Sequence, residues 1–215
     1  MISTIGKKEF ALMFAAAAQE VRSQHATLSA LDAFAGDGDH GTTMLRVADQ
    51  LESAVDPASS IPLMKIFETT GWNVMGVDGG ASSAILGTFF RGMGAADIGD
   101  EVDCRGLAVV FQAGLNAVSK QTKAIRGDKT MMDALIPAVA AIDTAASSEK
   151  DICSALEMAA LAAREGAEST KSLIAKHGRA KHLGEKTIGH MDAGAFSISL
   201  LFAGFSAALN DERNK

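Results

Sequence analysis

Short stretches rich in glycine and polar residues divide this chain of 215 residues. They lie at residues 36–41 and 76–80, at residue 127 and at residues 178–194, and each joins segments whose apolar residues recur at helical spacing. No segment alternates apolar and polar residues as a half-buried strand does. Alanine is abundant, whereas β-branched and aromatic residues are sparse. The sequence therefore predicts an all-α fold.

Helical periodicity recurs about eight times along the chain. We find neither a low-complexity linker nor an internal repeat, so we expect a single nucleotide-binding domain over residues 1–215, arranged as an up-and-down bundle or a helical barrel. The predicted helices cover residues 6–24, 42–54, 63–72, 84–93 and 104–121, a segment that opens at 127–135, a segment from 148 to about 175, and residues 192–209.

The glycine-containing connections follow the first, third, fifth and seventh predicted helices. In an antiparallel bundle with short connections, alternate connections lie at the same end. Backbone N–H groups at helix starts are free to bind ligands. We therefore expect one polar rim, formed by these four connections, above an apolar body.

Composition and charge argue against several kinds of partner. The formal net charge is −6 and no run of lysine and arginine occurs, so we expect no nucleic acid partner. The longest uncharged apolar run has 17 residues from Ala193, which is shorter than the ~18 of a membrane span. We interpret it as a core helix and expect no membrane partner.

The cysteines favour a cytoplasmic location. Cys104 and Cys153 are far apart and form neither a CxxC pair nor a zinc spacing with histidine. The first residues, MISTIGKKEF, contain no apolar region of signal-peptide type. We expect two reduced, buried thiols in a cytoplasmic protein.

The stretch DAFAGDGDHGTT, residues 32–43, interleaves Asp32, Asp37 and Asp39 with glycine. Carboxylates this close repel one another unless a cation lies between them. As oxygen ligands without cysteine they suit Mg²⁺ or Ca²⁺ rather than zinc. An EF-hand is excluded: with Asp37 as its first position, Thr42 stands where glycine is required and Ala48 where glutamate is required.

A magnesium ion held by few carboxylates completes its coordination with phosphate and water, which suggests a nucleotide. The stretch GGASS, residues 79–83, offers N–H donors at a helix start, although a close helix contact through small residues explains it equally well. Arg179 offers a fixed charge for phosphate and Asp192 an acceptor. His190 is either a site residue or a loop histidine, and neither a P-loop nor a Rossmann motif occurs.

Four motifs together resemble those of the nucleotide-binding L subunit of dihydroxyacetone kinases. The resemblance covers essentially the whole chain, in the family's order and spacing, and implies a barrel of eight antiparallel amphipathic helices with the nucleotide at one rim. The motifs are GDGDHGTTM (36–44), GGASSAILGTFF (79–90), GDKTMMDALIP (127–137) and GRAKHLGEKTIGHMDAGA (178–195).

The resemblance also implies the roles of individual residues. Asp32, Asp37 and Asp39 match aspartates that bind two Mg²⁺ ions, which bridge the phosphates of ADP or ATP. Met131 is expected against the base and Arg179 against phosphate, and no residue is expected to react covalently. The expected nucleotide-binding residues are His40, Gly41, Thr42, Thr43, Ala81, Ser82, Thr130, Met131, Arg179, Asp192 and Gly194.

The implied reaction is phosphoryl transfer to a hydroxyl of a short ketose. In the family, a ketose-binding (DhaK-like) subunit or domain holds the ketose through a histidine hemiaminal, and no such part is recognisable in these 215 residues. We therefore expect a kinase subunit of glycerone kinase type that binds nucleotide but is inactive without its partner.

The family has two branches that differ in phosphate source. In one, a phosphohistidine protein of the phosphotransferase system recharges a tightly bound ADP, and separate short L chains with the DHG of residues 39–41 are typical of it. In the other, ATP is an exchanging substrate, and the tandem Thr42-Thr43 resembles that branch. Ala193 and the pair Lys181-His182 depart from both. We favour ATP slightly, with dihydroxyacetone, erythrulose or another short ketose as acceptor.

Two other functions stay open at this point. One is a non-catalytic regulatory protein that binds nucleotide, and the other is a purely structural helical bundle, which leaves the crowded aspartates unexplained. The sequence leaves the oligomeric state open, a homodimer included. It also leaves open whether side chains or a lipid-like guest fill the interior.

Overall fold

The computed structural model describes residues 2–213 of the chain. Within this range the fold is all-α, as predicted, and its only β pairing is an isolated bridge between Ile5 and Val102. Two 3₁₀ segments, Thr170–Ser172 and Ala180–Thr187, lie between the last two α-helices. The α-helices are Lys7–Ala33 (α1), His40–Glu52 (α2), Leu63–Met75 (α3), Gly80–Met93 (α4), Cys104–Gln121 (α5), Met132–Ser147 (α6), Ile152–Ser169 (α7) and Ala193–Arg213 (α8).

Two helix ends differ from the prediction in ways that affect the rim. α1 continues to Ala33 rather than ending near residue 24, because the buried Leu28 keeps its inner face on the core. Asp32 therefore lies in the last turn of a helix and not in a loop. α7 ends at Ser169 rather than near residue 175, and the buried Thr170 begins a 3₁₀ turn there.

The helices form a closed ring. Helices adjacent in the chain pack against each other, with only a weak seam between α2 and α3, and α1 packs against α8. The residues that face inwards form one continuous apolar core. This arrangement agrees with the expected barrel.

Phenylalanine side chains fill the middle of the ring. They form an unbroken series of ring contacts with centroids 4.9–6.2 Å apart, most of them edge-to-face or tilted. Each buried phenylalanine contributes on the order of 2–3 kcal/mol through removal of apolar surface from water. The members of this series are Phe10, Phe14, Phe67, Phe89, Phe90, Phe111, Phe202 and Phe205.

Helix α8 is long and apolar enough, by length and composition, to cross a membrane. However, 67% of its apolar stretch, within Ala193–Glu212, is buried inside the protein. Its Phe202 and Phe205 belong to the central series. This is the packing of a core helix.

Candidate functional site

All four glycine-containing connections line one pocket of about 560 Å³ at one end of the ring. A volume of this size is typical of small-molecule sites. The expected polar rim is therefore present. Eleven of the residues singled out from the sequence line it: Asp32, Asp37, Asp39, His40, Ala81, Ser82, Thr130, Met131, Arg179, Asp192 and Gly194.

Four helices begin at this pocket. The first residues of α2, α4, α6 and α8 are His40, Gly80, Met132 and Ala193, and all four contribute to the lining. The first turn of a helix has unpaired N–H groups and the positive end of the helix dipole, both of which favour an anion. The positive ends of four helix dipoles around one cavity suit a ligand with several negative charges, although the first N–H groups of α6 already bond Thr130 and Met131.

The aspartate trio lies at the α1–α2 side of the pocket. One carboxylate oxygen from each of Asp32, Asp37 and Asp39 lies within 4.8 Å of the other two. Asp32 accepts a hydrogen bond from the N–H of Gly38 at 2.9 Å, which folds the loop back onto the end of α1. Gly38 has a positive φ of 77°, and a Cβ at Gly36 would collide with the Asp32 carboxylate. The two glycines therefore permit the crowding of the trio.

The trio fits Mg²⁺ in chemistry and in spacing. Ligand oxygens 2.0–2.1 Å from one Mg²⁺ lie about 3–4 Å apart, so oxygens within 4.8 Å can share one ion or bridge two. Three carboxylates leave coordination positions for phosphate and water, as Mg²⁺ sites normally do. Asp32, Asp37 and Asp39 would hold the cation.

Arg179 forms an ion pair with Asp37 across the mouth of the pocket. The hydrogen bond from Arg179 lowers the pKa of Asp37 below its ordinary value. Asp39 behaves in the opposite way, because loss of hydration and then the neighbouring Asp37 raise its pKa. Within the trio, one carboxylate is thus neutralised by arginine while another is crowded.

His40 lies beneath the trio, 6% exposed. Its Nδ1 is 3.2 Å from the hydroxyl oxygen of Ser82, while its Nε2 has no hydrogen-bond partner among the described residues. Burial lowers the pKa of His40, against the opposing effects of Asp32 and the Ala193 carbonyl. Burial therefore favours the neutral imidazole, which borders the pocket beside Ser82.

Asp192 acts as the cap of α8. Its carboxylate accepts the N–H of Ala195 at 2.7 Å, and its own N–H donates to the hydroxyl of Thr170 at 2.9 Å. Burial raises the pKa of Asp192 to about 6, although the Ala195 N–H acts in the opposite direction. The residue predicted as a ligand acceptor thus has one oxygen engaged in the protein.

Gly194 and Met131 lie against each other in the wall of the pocket. A Cβ at Gly194 would lie 3.3 Å from the Cβ and Cε of Met131, so glycine permits the close approach of α8 to this side chain. A methionine side chain that borders the pocket offers an apolar, polarisable surface to a flat ring.

Three of the predicted nucleotide residues do not line the pocket. Because α2 begins at His40, residues 41–43 lie within its first turn. Gly41 is buried against α1, where a Cβ would collide with the carbonyl oxygen of His25. Thr43 is buried next to Gly79, and Thr42 is exposed. Gly41 and Thr43 thus pack α2 against its neighbours, and of residues 39–43 only Asp39 and His40 line the pocket.

Lys129 was not singled out from the sequence. It is 5% exposed with a positive φ of 60°, and its ammonium donates to the carbonyl oxygens of Thr170 and His190, both at 2.5 Å. Burial lowers the pKa of Lys129, against the charges of Asp192 and Asp133. A lysine on the pocket wall thus joins the α5–α6 connection to both ends of the α7–α8 connection.

Asp133 and Asp128 shape the α5–α6 connection. The buried Asp133 accepts the N–H groups of Gly127 and Thr130, at 2.5 and 2.8 Å. The spacing of Thr130 and Asp133 is the sequence signal for this helix start. Asp128 accepts from Lys176 at 2.8 Å and lies 3.0 Å from His177, and these contacts, with Lys176 first, lower its pKa to about 2. These bonds attach the connection to residues 176 and 177.

His190 belongs to the mouth of the site. It lines the pocket and stacks against Phe34. Nothing in the sequence pairs these residues, because they lie in connections far apart along the chain.

Comparison with known proteins identifies a family match and related sequences. Residues 34–207 match the family model described as DAK2 domain. The chain is 38% identical over 184 residues to the PEP-dependent dihydroxyacetone kinase 1, ADP-binding subunit DhaL, of Listeria innocua, with 86% of this chain and 87% of that protein covered. It is 34% identical to an L-erythrulose kinase of Pectobacterium atrosepticum, with 86% of this chain but 32% of that protein covered.

A solved structure has the same fold. The crystal structure of the dihydroxyacetone kinase from C. freundii in complex with AMP-PNP and Mg²⁺ superimposes with a TM-score of 0.69 at 26% identity. The match covers 92% of this chain and 33% of that one. Since the family model matches residues 34–207 and the Listeria protein is matched over most of its length, this chain belongs to the DAK2 domain family.

Proposed function

We propose that this protein is the nucleotide-binding subunit of a ketose kinase. It binds ADP or ATP with Mg²⁺, two ions as the family resemblance implies, in the rim pocket. It delivers phosphate to dihydroxyacetone, erythrulose or a related short ketose held on a separate subunit. The observation that carries the proposal is the convergence of the aspartate trio and four helix N-termini on one pocket.

The chain's own residues bind and orient the nucleotide. Asp32, Asp37 and Asp39 hold the cation, which when bound neutralises phosphate charge. The starts of α2, α4 and α8 would offer N–H groups to phosphate oxygens, whereas the first N–H groups of α6 already bond Thr130 and Met131. The Ser82 hydroxyl and the His40 imidazole, which contact each other and border the pocket, are further polar partners. Phosphoryl transfer depends mainly on such positioning and charge stabilisation.

Met131 and Gly194 provide the base subsite of this proposal. Gly194 lies close beside the Met131 side chain, and both residues border the pocket. A regulatory protein that only binds nucleotide would share this pocket but would not complete a kinase.

The proposal also includes the source of the transferred phosphate. The tandem Thr42-Thr43 favours ATP, but neither threonine lines the pocket. The Listeria relative, matched over 87% of its length, is named PEP-dependent and ADP-binding. We give that name the greater weight and propose a resident ADP that a phosphohistidine protein recharges, with exchanging ATP as the alternative.

A basic surface beside the pocket supports docking of the ketose-holding subunit. Segments 120–129 and 171–190 contain nine of the twenty lysines and arginines but two of the twenty-six acidic residues, a net +7 against −13 for the rest of the chain. Exposed isoleucines occur in the same segments, and exposed apolar side chains together with arginine are features of protein interfaces. We define the basic surface as Lys123, Ile125, Arg126, Ile174, Lys181, Lys186 and Ile188, all exposed.

The basic surface lies outside the nucleotide pocket, on connections that backbone hydrogen bonds hold together. Hydrogen bonds from Lys176 to Asp128 and from Gly189 to Lys171 join its segments, and none of its seven residues lines the pocket. Its four cations form no ion pair with the described residues. They are therefore available to an acidic protein face rather than to the nucleotide. We propose the ketose-holding subunit as that partner, in the cytoplasm.

The proposal is tested by nucleotide content and by charge removal. Purified protein is denatured and the released nucleotide assayed, and Mg²⁺-dependent ADP binding is then measured by calorimetry for wild type, Asp32→Asn and the distant Asp97→Asn. Asparagine at 32 can still accept the Gly38 N–H, so this variant removes charge and keeps the loop bond. We expect affinity to fall more than roughly tenfold in Asp32→Asn only.

The outcomes separate the alternatives. Stoichiometric ADP that survives dialysis indicates a resident cofactor, whereas an empty site that binds ATP reversibly indicates an exchanging substrate. Tight Mg²⁺-dependent binding by Asp32→Asn would contradict the metal assignment. Nucleotide binding without any kinase activity, after a ketose-binding subunit has been added, would favour the regulatory protein.

A further inference from the structure

Arg179 and Asp37 neutralise each other at the mouth of the pocket. We propose that Arg179 determines which ligand the aspartate trio accepts: it disfavours a free cation and favours a cation that arrives with phosphate. The inference rests on the proposed function, because it takes nucleotide phosphates to be the ligand of the pocket.

The first step of the argument is competition for one carboxylate. Arg179 pairs with an oxygen of Asp37, and a cation shared by the trio requires oxygens of the same carboxylate. A free cation must therefore displace the guanidinium and leave it beside a doubly charged ion. The ion pair weakens cation binding by its own stability and by repulsion.

The second step is that Arg179 can move while its backbone stays in place. Its side chain is 67% exposed, so no core packing holds it. The residues just before it are fixed, because the N–H of Lys176 donates to the Asp128 carbonyl at 3.1 Å and His177 contacts the Asp128 carboxylate. Gly178, with φ of 62°, turns the chain between this anchor and Arg179.

The third step is the alternative partner. Phosphate accepts two parallel hydrogen bonds from a guanidinium, and such pairs are among the strong charge-assisted ones. Arg179 lines the same pocket as the helix N-termini, where phosphates are expected. A phosphate in the pocket thus accepts Arg179 and frees Asp37 for the cation.

The exchange makes the two affinities interdependent. If ADP raises the affinity of the trio for a cation by some factor, the cation raises the affinity for ADP by the same factor. Arg179 is the residue through which part of this coupling passes. Removal of its charge should strengthen binding of a free cation and weaken the effect of ADP.

The experiment measures Mn²⁺ binding by electron paramagnetic resonance at low ionic strength, with and without ADP. The proteins are wild type, Arg179→Gln, Arg179→Lys and Lys120→Gln. Lys120→Gln removes an exposed cation at the same end of the bundle, at the end of α5, and controls for net charge. Arg179→Lys keeps a charge that can pair with Asp37.

We expect Arg179→Gln to bind Mn²⁺ alone roughly two- to fivefold more tightly than wild type, the range for loss of an exposed ion pair. The factor by which ADP raises its Mn²⁺ affinity should fall by at least the same amount, while Lys120→Gln stays close to wild type. Arg179→Lys should keep the wild-type affinity for Mn²⁺ alone but lose part of the enhancement by ADP, because an ammonium cannot form the two parallel bonds to phosphate. Equal Mn²⁺ affinity in Arg179→Gln and wild type, or an equal gain in Lys120→Gln, would overturn the proposal. No ADP binding by wild type with Mn²⁺ would contradict the proposed function itself, and this inference with it.

Discussion

The rings of Phe34 and His190 stack with their centroids 3.5 Å apart and their planes at 11°. Phe34 follows α1 and His190 precedes α8, so the stack closes the mouth of the pocket from two sides. The ion pair of Asp37 and Arg179 joins the same two connections. The α1–α2 and α7–α8 connections are therefore held together by one aromatic and one ionic contact.

Loss of the stack should loosen the mouth of the site. We expect His190→Ala to weaken nucleotide binding by roughly two- to tenfold, since an aromatic pair contributes about 0.5–1.5 kcal/mol beyond its buried area. Alanine leaves the carbonyl of residue 190 in place for Lys129. The measurement is ADP affinity in the presence of Mg²⁺.

The exposed His182, which makes no ring contact with any residue that the structure describes, provides the control for His190. In the double variant Phe34→Ala/His190→Ala, the loss in free energy of ADP binding should be less than the sum of the losses in the two single variants. The reason is that both substitutions remove the same contact. Fully additive losses would contradict a functional role of the stack.

Lys129 should stabilise the whole rim. Lys129→Met leaves the carbonyl oxygens of Thr170 and His190 without their donor, and each unsatisfied buried group costs about 1–3 kcal/mol. We expect the free energy of unfolding, measured in urea, to fall by roughly 2–4 kcal/mol. Lys120→Met, an exposed lysine on α5, should change it little, and equal stability of the two variants would contradict this role.

Asp192 should make stability depend on pH between about 4 and 6. Its pKa is raised from 3.8 to about 6, so the folded protein favours the protonated carboxyl, and ionisation lowers stability as the pH rises through this window. Asp192→Asn cannot ionise but still caps Ala195. In metal-free buffer we expect its melting temperature to equal that of wild type near pH 4 and to exceed it by a few degrees above pH 6.

Asp128 should give the stability of the protein the opposite dependence on pH. Its pKa is lowered to about 2, so its contribution is present above 3.8 and is lost as the pH falls towards 2. Asp128→Asn should therefore melt below wild type at pH 7, and the difference should shrink on acidification. Parallel pH curves for wild type and both variants would contradict these assignments.

Association with a ketose-binding subunit should depend on salt. We expect Lys181→Glu/Lys186→Glu to weaken binding of a ketose-binding subunit from a related kinase by roughly tenfold at low salt, with a smaller effect at high salt. ADP affinity should be unchanged, because neither residue lines the pocket. The control is Arg105→Glu/Lys150→Glu at the opposite end of the ring. An equal loss in both double variants would contradict the docking surface.

The sequence sufficed for the residues whose roles depend on local spacing. The bounds of α5 were predicted as observed, and the aspartate trio, Ser82, Arg179 and Asp192 meet in one pocket as expected. Glycine clusters mark helix starts, and alternation of an antiparallel ring brings those starts together. The first inference needs only the spacing of neighbouring residues, and the second needs only the order and number of the helices.

The sequence did not suffice where a role depends on distant segments. Lys129 is a rim residue because its ammonium meets carbonyls of residues 170 and 190, and no local pattern predicts that contact. Thr43 matches a family motif, but its side chain packs against Gly79 and does not itself line the pocket, a contact that no local pattern predicts. The sequence predicts that α1 ends at residue 24, because beyond it only Leu28 is buried and the apolar periodicity is weak. In the structure, Leu28 packs into the core and the helix continues to Ala33.

The contact between Phe14 and Phe205 joins the first and last helices, which are separated by most of the chain. The ring can close only when these two helices meet. Phenylalanines of α1, α3, α4 and α5 can contact one another earlier, but Phe14 and Phe111 keep one side open to water until Phe202 and Phe205 cover it. Closure by the last helix therefore depends on contacts between distant parts of the chain, which cost loop entropy before they form. A chain that lacks α8 exposes one side of an aromatic core that the finished protein covers.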